Sequence, residues 1–450
     1  MPKLNIMNKI NLFLLSLEKS LESFLEKTYK VNRFWFYFAF LVILAALLVA
    51  RRPGLFVDLN FWAEDGMVWF ADAYNLGALK TIFIPYGGYF QTICRLTGSL
   101  AQLLPLYAGP TFMAITALVI NILPAWFLST KRLQNFFPKI WPRLLLALII
   151  IVLPNSSEYH ANISNSPWLL AILALMIFFA AKPKTLAWKI FDYTILALAG
   201  LSLPFSVFIA PLALWYAWRK KAEIVYQYRT LVIFLTAGVQ ILGMFVLSHM
   251  SRLLDIPQPS LKIFLGILGK QVFWGGLIGQ TGVAWLSFKF TYSFFFFLAF
   301  GIIYLLLTAY ILWRGPDALK VAVIYSLIIL ISCLMSPTPH FTSSIRPSWA
   351  IIYLTYASRY FVTSIVIFLV SLFWLASKTQ PKVLRIIAVS LLATLIIGIP
   401  ADFNRAKFVP LTVLNYDQSL YKLAELPKGN SLKIPINGHA YGWYMILRKK

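Results

Sequence analysis

Glu64 and Asp65 are adjacent carboxylates inside an apolar, aromatic stretch, FWAEDGMVWFADAY. Charge held among aromatic side chains at a membrane surface is costly to desolvate, so a functional explanation is the default. A plainer explanation is also open. The pair would face water, or cap a helix over 67–74 by meeting its free N–H groups and its positive dipole end. The two readings are compatible, because a capping acid can still be a base. The same loop carries Tyr86-Gly87-Gly88-Tyr89 and then Arg95. Gly-Gly lets backbone or substrate approach closely, and tyrosines offer stacking faces with hydroxyl tips. An interfacial aromatic belt around a turn explains the same residues.

A second polar segment, PNSSEYHANISNSPW, contains Glu158 and His160 and no Lys or Arg. Two residues apart, they would not share a helical face, and so few ligands do not make a metal site. The segment fits a sugar-binding wall or a solvated loop equally well. A third, 337–359, brings Arg346 and ends at Arg359-Tyr360. An arginine there either snorkels to the interface or grips a phosphate bidentately. Much is absent: there is no P-loop, Ser-His-Asp signature, HExxH or CxxC. GKQVFWGGLIGQTG matches no phosphate-binding pattern and reads as helix packing or a re-entrant loop. Cys94 and Cys333 lie far apart and imply no metal site. A ligand role for His439, in the turn 437–439, has little behind it.

The elements that must position these residues follow from composition. The chain is 60% hydrophobic and only 12% charged, with mean hydropathy +0.76. That is too little polar surface to coat a water-soluble particle of 450 residues. A bilayer resolves the conflict and requires helices or a closed barrel. The apolar runs are continuous, with no period of two, so the expected fold is an all-α polytopic membrane protein. About eleven transmembrane helices are expected, near 34–50, 110–128, 144–155, 167–181, 190–203, 204–218, 231–249, 291–313, 321–336, 360–377 and 386–400. The pair 190–218 is split at Ser202-Leu203-Pro204-Phe205 because both its flanks are basic, which requires an even number of crossings.

Assigning the short basic loops to the cytoplasm sets the sides. The N-terminus lies inside and the C-terminus outside, in the cytoplasmic (inner) membrane. Residues 1–33 form a cytoplasmic amphipathic segment lying in the membrane surface. Residues 34–400 form the multi-span domain, with a long first outer loop at 51–109. The outer side also receives 156–166, 250–290, 337–359 and a short tail, 401–450, packed on the outer face. The net charge of +25 is scattered between apolar runs, so it sets topology and is no footprint for nucleic acid.

With this architecture and the segments WAEDG, PYGGY…RL, PNSSEYH…NSPW, LSLPF…P and SRYF, the chain resembles the GT-C class of integral membrane glycosyltransferases, in a mostly uncharacterised bacterial branch. It departs from better-known members in having no large soluble C-terminal domain. The resemblance implies transfer of a sugar from a polyprenyl-phosphate carrier to a glycan, lipid or protein acceptor of the cell envelope. Outside the cytoplasm no nucleotide sugar is available, so the donor must arrive membrane-bound. The resemblance further implies Asp65, with Glu64 second, as general base toward the acceptor hydroxyl. Attack would pass through an oxocarbenium-like transition state. Arg359, with Arg95 or Arg346, would stabilise the leaving phosphate, while Tyr360, Tyr86, Tyr89, Glu158 and His160 line the substrate site. Some members use a divalent cation (Mg or Mn); this sequence does not require one. The rivals are a lipid or polysaccharide flippase or transporter, and a polysaccharide polymerase or ligase. The first is disfavoured by the lack of an internal repeat and by spans nearly free of charge. The second is disfavoured because the longest internal outer loop is the first.

Overall fold

The computed structural model describes residues 16, 19–20, 22–23, 33–52, 60–247, 257–337, 347–354, 357–377, 380–404, 414–437 and 442–450. Most of the amphipathic segment 11–30, together with Arg346 and His439, lies outside these residues.

The continuous apolar runs form helices, as their lack of alternation demands. Seven described helices are long and apolar enough to cross a membrane. These are Leu106–Ser129, Ile224–Leu247, Leu261–Lys289, Ser293–Arg314, Asp317–Met335, Ser358–Leu375 and Lys382–Asp402. Shorter apolar helices accompany them: Arg33–Ala50, Ile140–Ile151 and Ser166–Phe179. The last two have 12 and 14 residues. At about 1.5 Å per residue they are shorter than a hydrocarbon core of about 30 Å. They are also the most central: Ser166–Phe179 is buried almost all round, as is Ser358–Leu375. Ile224–Leu247, Ser293–Arg314 and Lys382–Asp402 instead present wide apolar faces outward. Short helices walled in by longer ones suit a membrane domain with a sheltered interior.

Two sequence expectations meet the structure directly. Leu186–Ser202 and Phe205–Arg219 are separate helices. Leu203 is extended, so the chain turns back at the break. Asp192 near the start of the first helix pairs with Arg229, and Thr230 donates to Ala213 O in the second. Both basic flanks therefore lie at one end. Residues 250–290, by contrast, are not simply a loop: Leu261–Lys289 is helical. Its glycines disguised it, because Gly lowers helix propensity. Here they let backbones touch. A side chain at Gly269 or Gly301 would overlap the backbone of the facing helix. The helix breaks at Gly279, φ +73°. There Asp402 accepts from Gln280 N (2.7 Å), Thr281 N (3.0 Å) and Asn155 N (3.0 Å). One buried carboxylate thus ties the broken helix to the end of Lys382–Asp402 and to the segment after Ile140–Ile151.

The tail folds into a helix, Tyr416–Glu425, and a hairpin of β1 (Ser431–Pro435) and β2 (Tyr444–Arg448), antiparallel with Ile434 opposite Met445. It packs on the 60–76 region. Asn437 N donates to Phe61 O (3.0 Å), and Asn75 clamps β2 through Ile446 O (2.8 Å) and Arg448 N (2.9 Å).

Candidate active site

The acid pair sits where the chain is bent hardest. Ala63 has φ +34°, unusual for a residue with a Cβ. The backbone then enters a wide helical turn, Asp65–Phe70, continued by Ala71–Leu76. The tail holds this bend from outside: Ala63 N donates to Asn437 O, and Ile436 fills the space beside Gly66.

Asp65 does not cap its own helix. Its carboxylate turns away and accepts from Ile163 N (3.0 Å), Ser164 N (2.9 Å) and the Ser164 hydroxyl. Trp69 Nε1 donates to the same hydroxyl oxygen at 2.8 Å. Asp65 is 3% exposed, and burial raises its pKa to about 7 against the opposing pull of these hydrogen bonds. Glu64 is half-buried. Its side chain makes no hydrogen bond or ion pair with a described residue. Of the two acids, Asp65 is the one locked in place and Glu64 the one left available.

The segment that holds Asp65 also holds Arg359. Glu158 pairs with the Arg359 guanidinium through Oε1, and its Oε2 accepts from Arg359 N (3.0 Å) and Ser358 Oγ (3.3 Å). The loop between the two anchors is folded back on itself. Asn162 Nδ2 (2.7 Å) and Asn165 Nδ2 (3.1 Å) both donate to Glu158 O. Arg359 also lies 5.1 Å from the centre of the Tyr360 ring, and Tyr360 packs against Trp168. Asp65 and Arg359 are therefore anchored to the same segment, 158–164.

The remaining candidates are placed differently. Arg95 is interior: Nη1 donates to Asp72 (2.6 Å), Nε to Ile84 O (3.2 Å), and its guanidinium lies 5.0 Å from the Trp69 ring centre. Its donors brace the turn that carries the acids. His160 is 1% exposed, with Nε2 2.9 Å from Leu48 O. Burial and the nearby Arg51 charge push its pKa down to about 3, so the ring is neutral. Tyr86 and Tyr89 close a tight hairpin through Tyr86 N and Tyr89 O (3.0 Å), with Gly87 and Gly88 both at positive φ. The Tyr86 ring stands edge-on to Trp69. Among the described residues no cluster of three His, Cys, Asp or Glu side chains could hold a metal ion.

Sequence reasoning missed Ser164, whose backbone and hydroxyl hold Asp65, and the tail residues 436–437. No local signal marks a backbone N–H as a partner for an acid 98 residues away.

No family model matches the chain, and neither does any curated protein. Among solved structures, it is similar to the Archaeoglobus fulgidus oligosaccharyltransferase tethered through a disulfide bond to an acceptor peptide containing the NVT sequon. The identity is 14%, the TM-score 0.43, and the match covers 87% of this chain. The chain spans 58% of the length of that structure.

Proposed function

We propose that the protein is a membrane glycosyltransferase. It moves a sugar from a polyprenyl-phosphate carrier to a glycan, lipid or protein acceptor of the cell envelope, at the extracytoplasmic face. The observation that carries the reading is that one short segment, 158–164, anchors both Asp65, the neighbour of Glu64, and Arg359. Sugar transfer from a phosphate needs a base for the acceptor hydroxyl and a cation for the leaving phosphate.

Roles follow from availability. Asp65 has most of its acceptor sites filled by Ile163 and Ser164. It acts as a positioning residue that fixes the bend. Glu64, with no partner among the described residues, takes the acceptor proton. As the acceptor oxygen bonds to the anomeric carbon, the bond from that carbon to the phosphate oxygen breaks. Arg359 meets the negative charge developing on that oxygen. Until donor binds, Glu158 keeps the guanidinium aligned. Magnesium or manganese beside the acids would supply further charge stabilisation. The two adjacent carboxylates fit that task only in part, because Asp65 is already occupied.

The test is Glu64→Gln in membranes supplied with undecaprenyl-phosphate-linked sugars. Transfer should fall by about 10²-fold or more, with melting temperature unchanged. Full transfer by the variant would remove Glu64 from the role of base.

A further inference from the structure

Lys270 lies within Leu261–Lys289, a run apolar enough to cross a membrane. An ammonium in such a segment is expensive, and when kept it marks a site that uses it. Each of the other buried cations among the described residues has a hydrogen-bond acceptor: Arg52 donates to Ala161 O, and Arg143 to Lys139 O and Thr130 O. Arg132 and Arg229 share Asp192, Arg95 has Asp72, and Arg51 donates to Ile151 O and Ser156 Oγ. Among the described residues Lys270 has no carboxylate and no hydrogen-bond acceptor. Its Nζ stands 4.4 Å from the centre of the Tyr353 ring and 5.9 Å from that of Phe297. Aromatic faces hold a cation without neutralising it. The residue is 7% exposed.

The position is built. Lys270 sits in a wide helical turn, Leu268–Trp274, a distortion often found at functional sites. On one side, Gly269 lets the backbone lie directly against Phe297 O. On the other, Gln271 Nε2 donates to Tyr353 O (2.9 Å), fixing the residue whose ring covers the ammonium. Gln271 O accepts from Asn155 Nδ2 (2.9 Å), in the stretch that leads to Glu158. The turn also packs on Ser358–Phe361, which carries Arg359.

We infer that Lys270 is an anion-binding residue that takes the phosphate of an isoprenoid-linked donor, alongside Arg359. The binding site rests on the uncompensated ammonium; naming the donor as its ligand rests on the transferase reading. The two arginine-type and lysine-type cations divide the work by chemistry. Arg359 offers a planar fork already aligned by Glu158, and Lys270 a point charge with no counter-ion among the described residues.

Binding of undecaprenyl phosphate to the full chain in nanodiscs tests this, with undecaprenol and phosphatidylglycerol as parallel ligands. Lys270→Met should bind undecaprenyl phosphate at least tenfold more weakly, and Lys270→Arg should retain most of the affinity. Undecaprenol binding should be equal in all three proteins. The melting temperature of Lys270→Met should not fall, because a lone charge is being removed from an apolar span. Unchanged undecaprenyl phosphate binding by Lys270→Met would overturn the Lys270 assignment and leave the transferase reading standing. An equal loss for phosphatidylglycerol would make the site a general headgroup contact and overturn the donor assignment. A lowered melting temperature with lost binding in both variants would make Lys270 structural and overturn the inference. Wild-type protein that ignores undecaprenyl phosphate would overturn the transferase reading itself.

Discussion

Asp65 and Arg359 are anchored to the same short segment, Asp65 at Ile163 and Ser164, and Arg359 at Glu158. Glu158 and Ile163 are five positions apart, which limits their Cα atoms to about 18 Å even if fully extended. The back-bonds from Asn162 and Asn165 to Glu158 O bring the ends closer still. A polar loop that fitted a sugar-binding wall and a solvated loop equally well is the piece to which Asp65 and Arg359 are both anchored.

This arrangement makes stability depend on pH through Asp65. Burial raises its folded pKa to about 7 from an ordinary value of 3.8. A carboxyl with a raised folded pKa contributes stability that is fully present below the unfolded value and is lost as pH rises through the folded one. Wild-type melting temperature should therefore carry a downward component from pH 4 to pH 7. Asp65→Asn should lack that component and be less stable throughout, because its NH2 would face a backbone N–H. Thermal melts of both proteins across that range check it; parallel pH profiles would contradict it.

Arg359→Met should weaken donor use and also lower the melting temperature. Its ion pair with Glu158 is about four-fifths buried, and removing the cation leaves that carboxylate without its counter-charge. A lost phosphate contact should raise the apparent donor KM about tenfold, the equivalent of roughly 1.4 kcal/mol. Steady-state kinetics over a donor series, with a melt as control, separates the two effects.

Gly279→Ala should destabilise the protein. Its φ of +73° is poorly tolerated by alanine, and a Cβ would stand 2.5 Å from the Asp402 carboxylate. Strain of about 1–3 kcal/mol is expected, together with loss of the bonds to Gln280 and Thr281. A melting temperature within error of wild type would show that Asp402 is not a latch.

The helical, many-span architecture was legible because continuous apolar runs leave the backbone few alternatives. The 202–205 break was legible from loop charge. Leu261–Lys289 was not, because its glycines, which serve close packing against Phe297 and Leu265, read as loop punctuation. In the site, Glu64, Asp65 and Arg359 stood out as charges in apolar surroundings. What each one touches did not. Asp65 is held by backbone N–H groups, which every residue carries. Arg95 and His160 have the residue types of ligands, but Asp72 and Leu48 O, distant in sequence, draw them inward. Lys270 was hidden for the converse reason: one lysine in a glycine-rich stretch gives no motif, and its lack of a counter-ion among the described residues shows only in the packing.

The central claim is that one site joins a base to cations that receive a lipid-linked phosphate. A structure of the protein with undecaprenyl phosphate bound tests it most directly. The phosphate is expected within hydrogen-bond reach of Arg359 and Lys270, about 3 Å, with the Glu64 carboxylate facing the position of the transferred sugar. A phosphate bound away from both cations, or one whose open side faces away from Glu64, would contradict it.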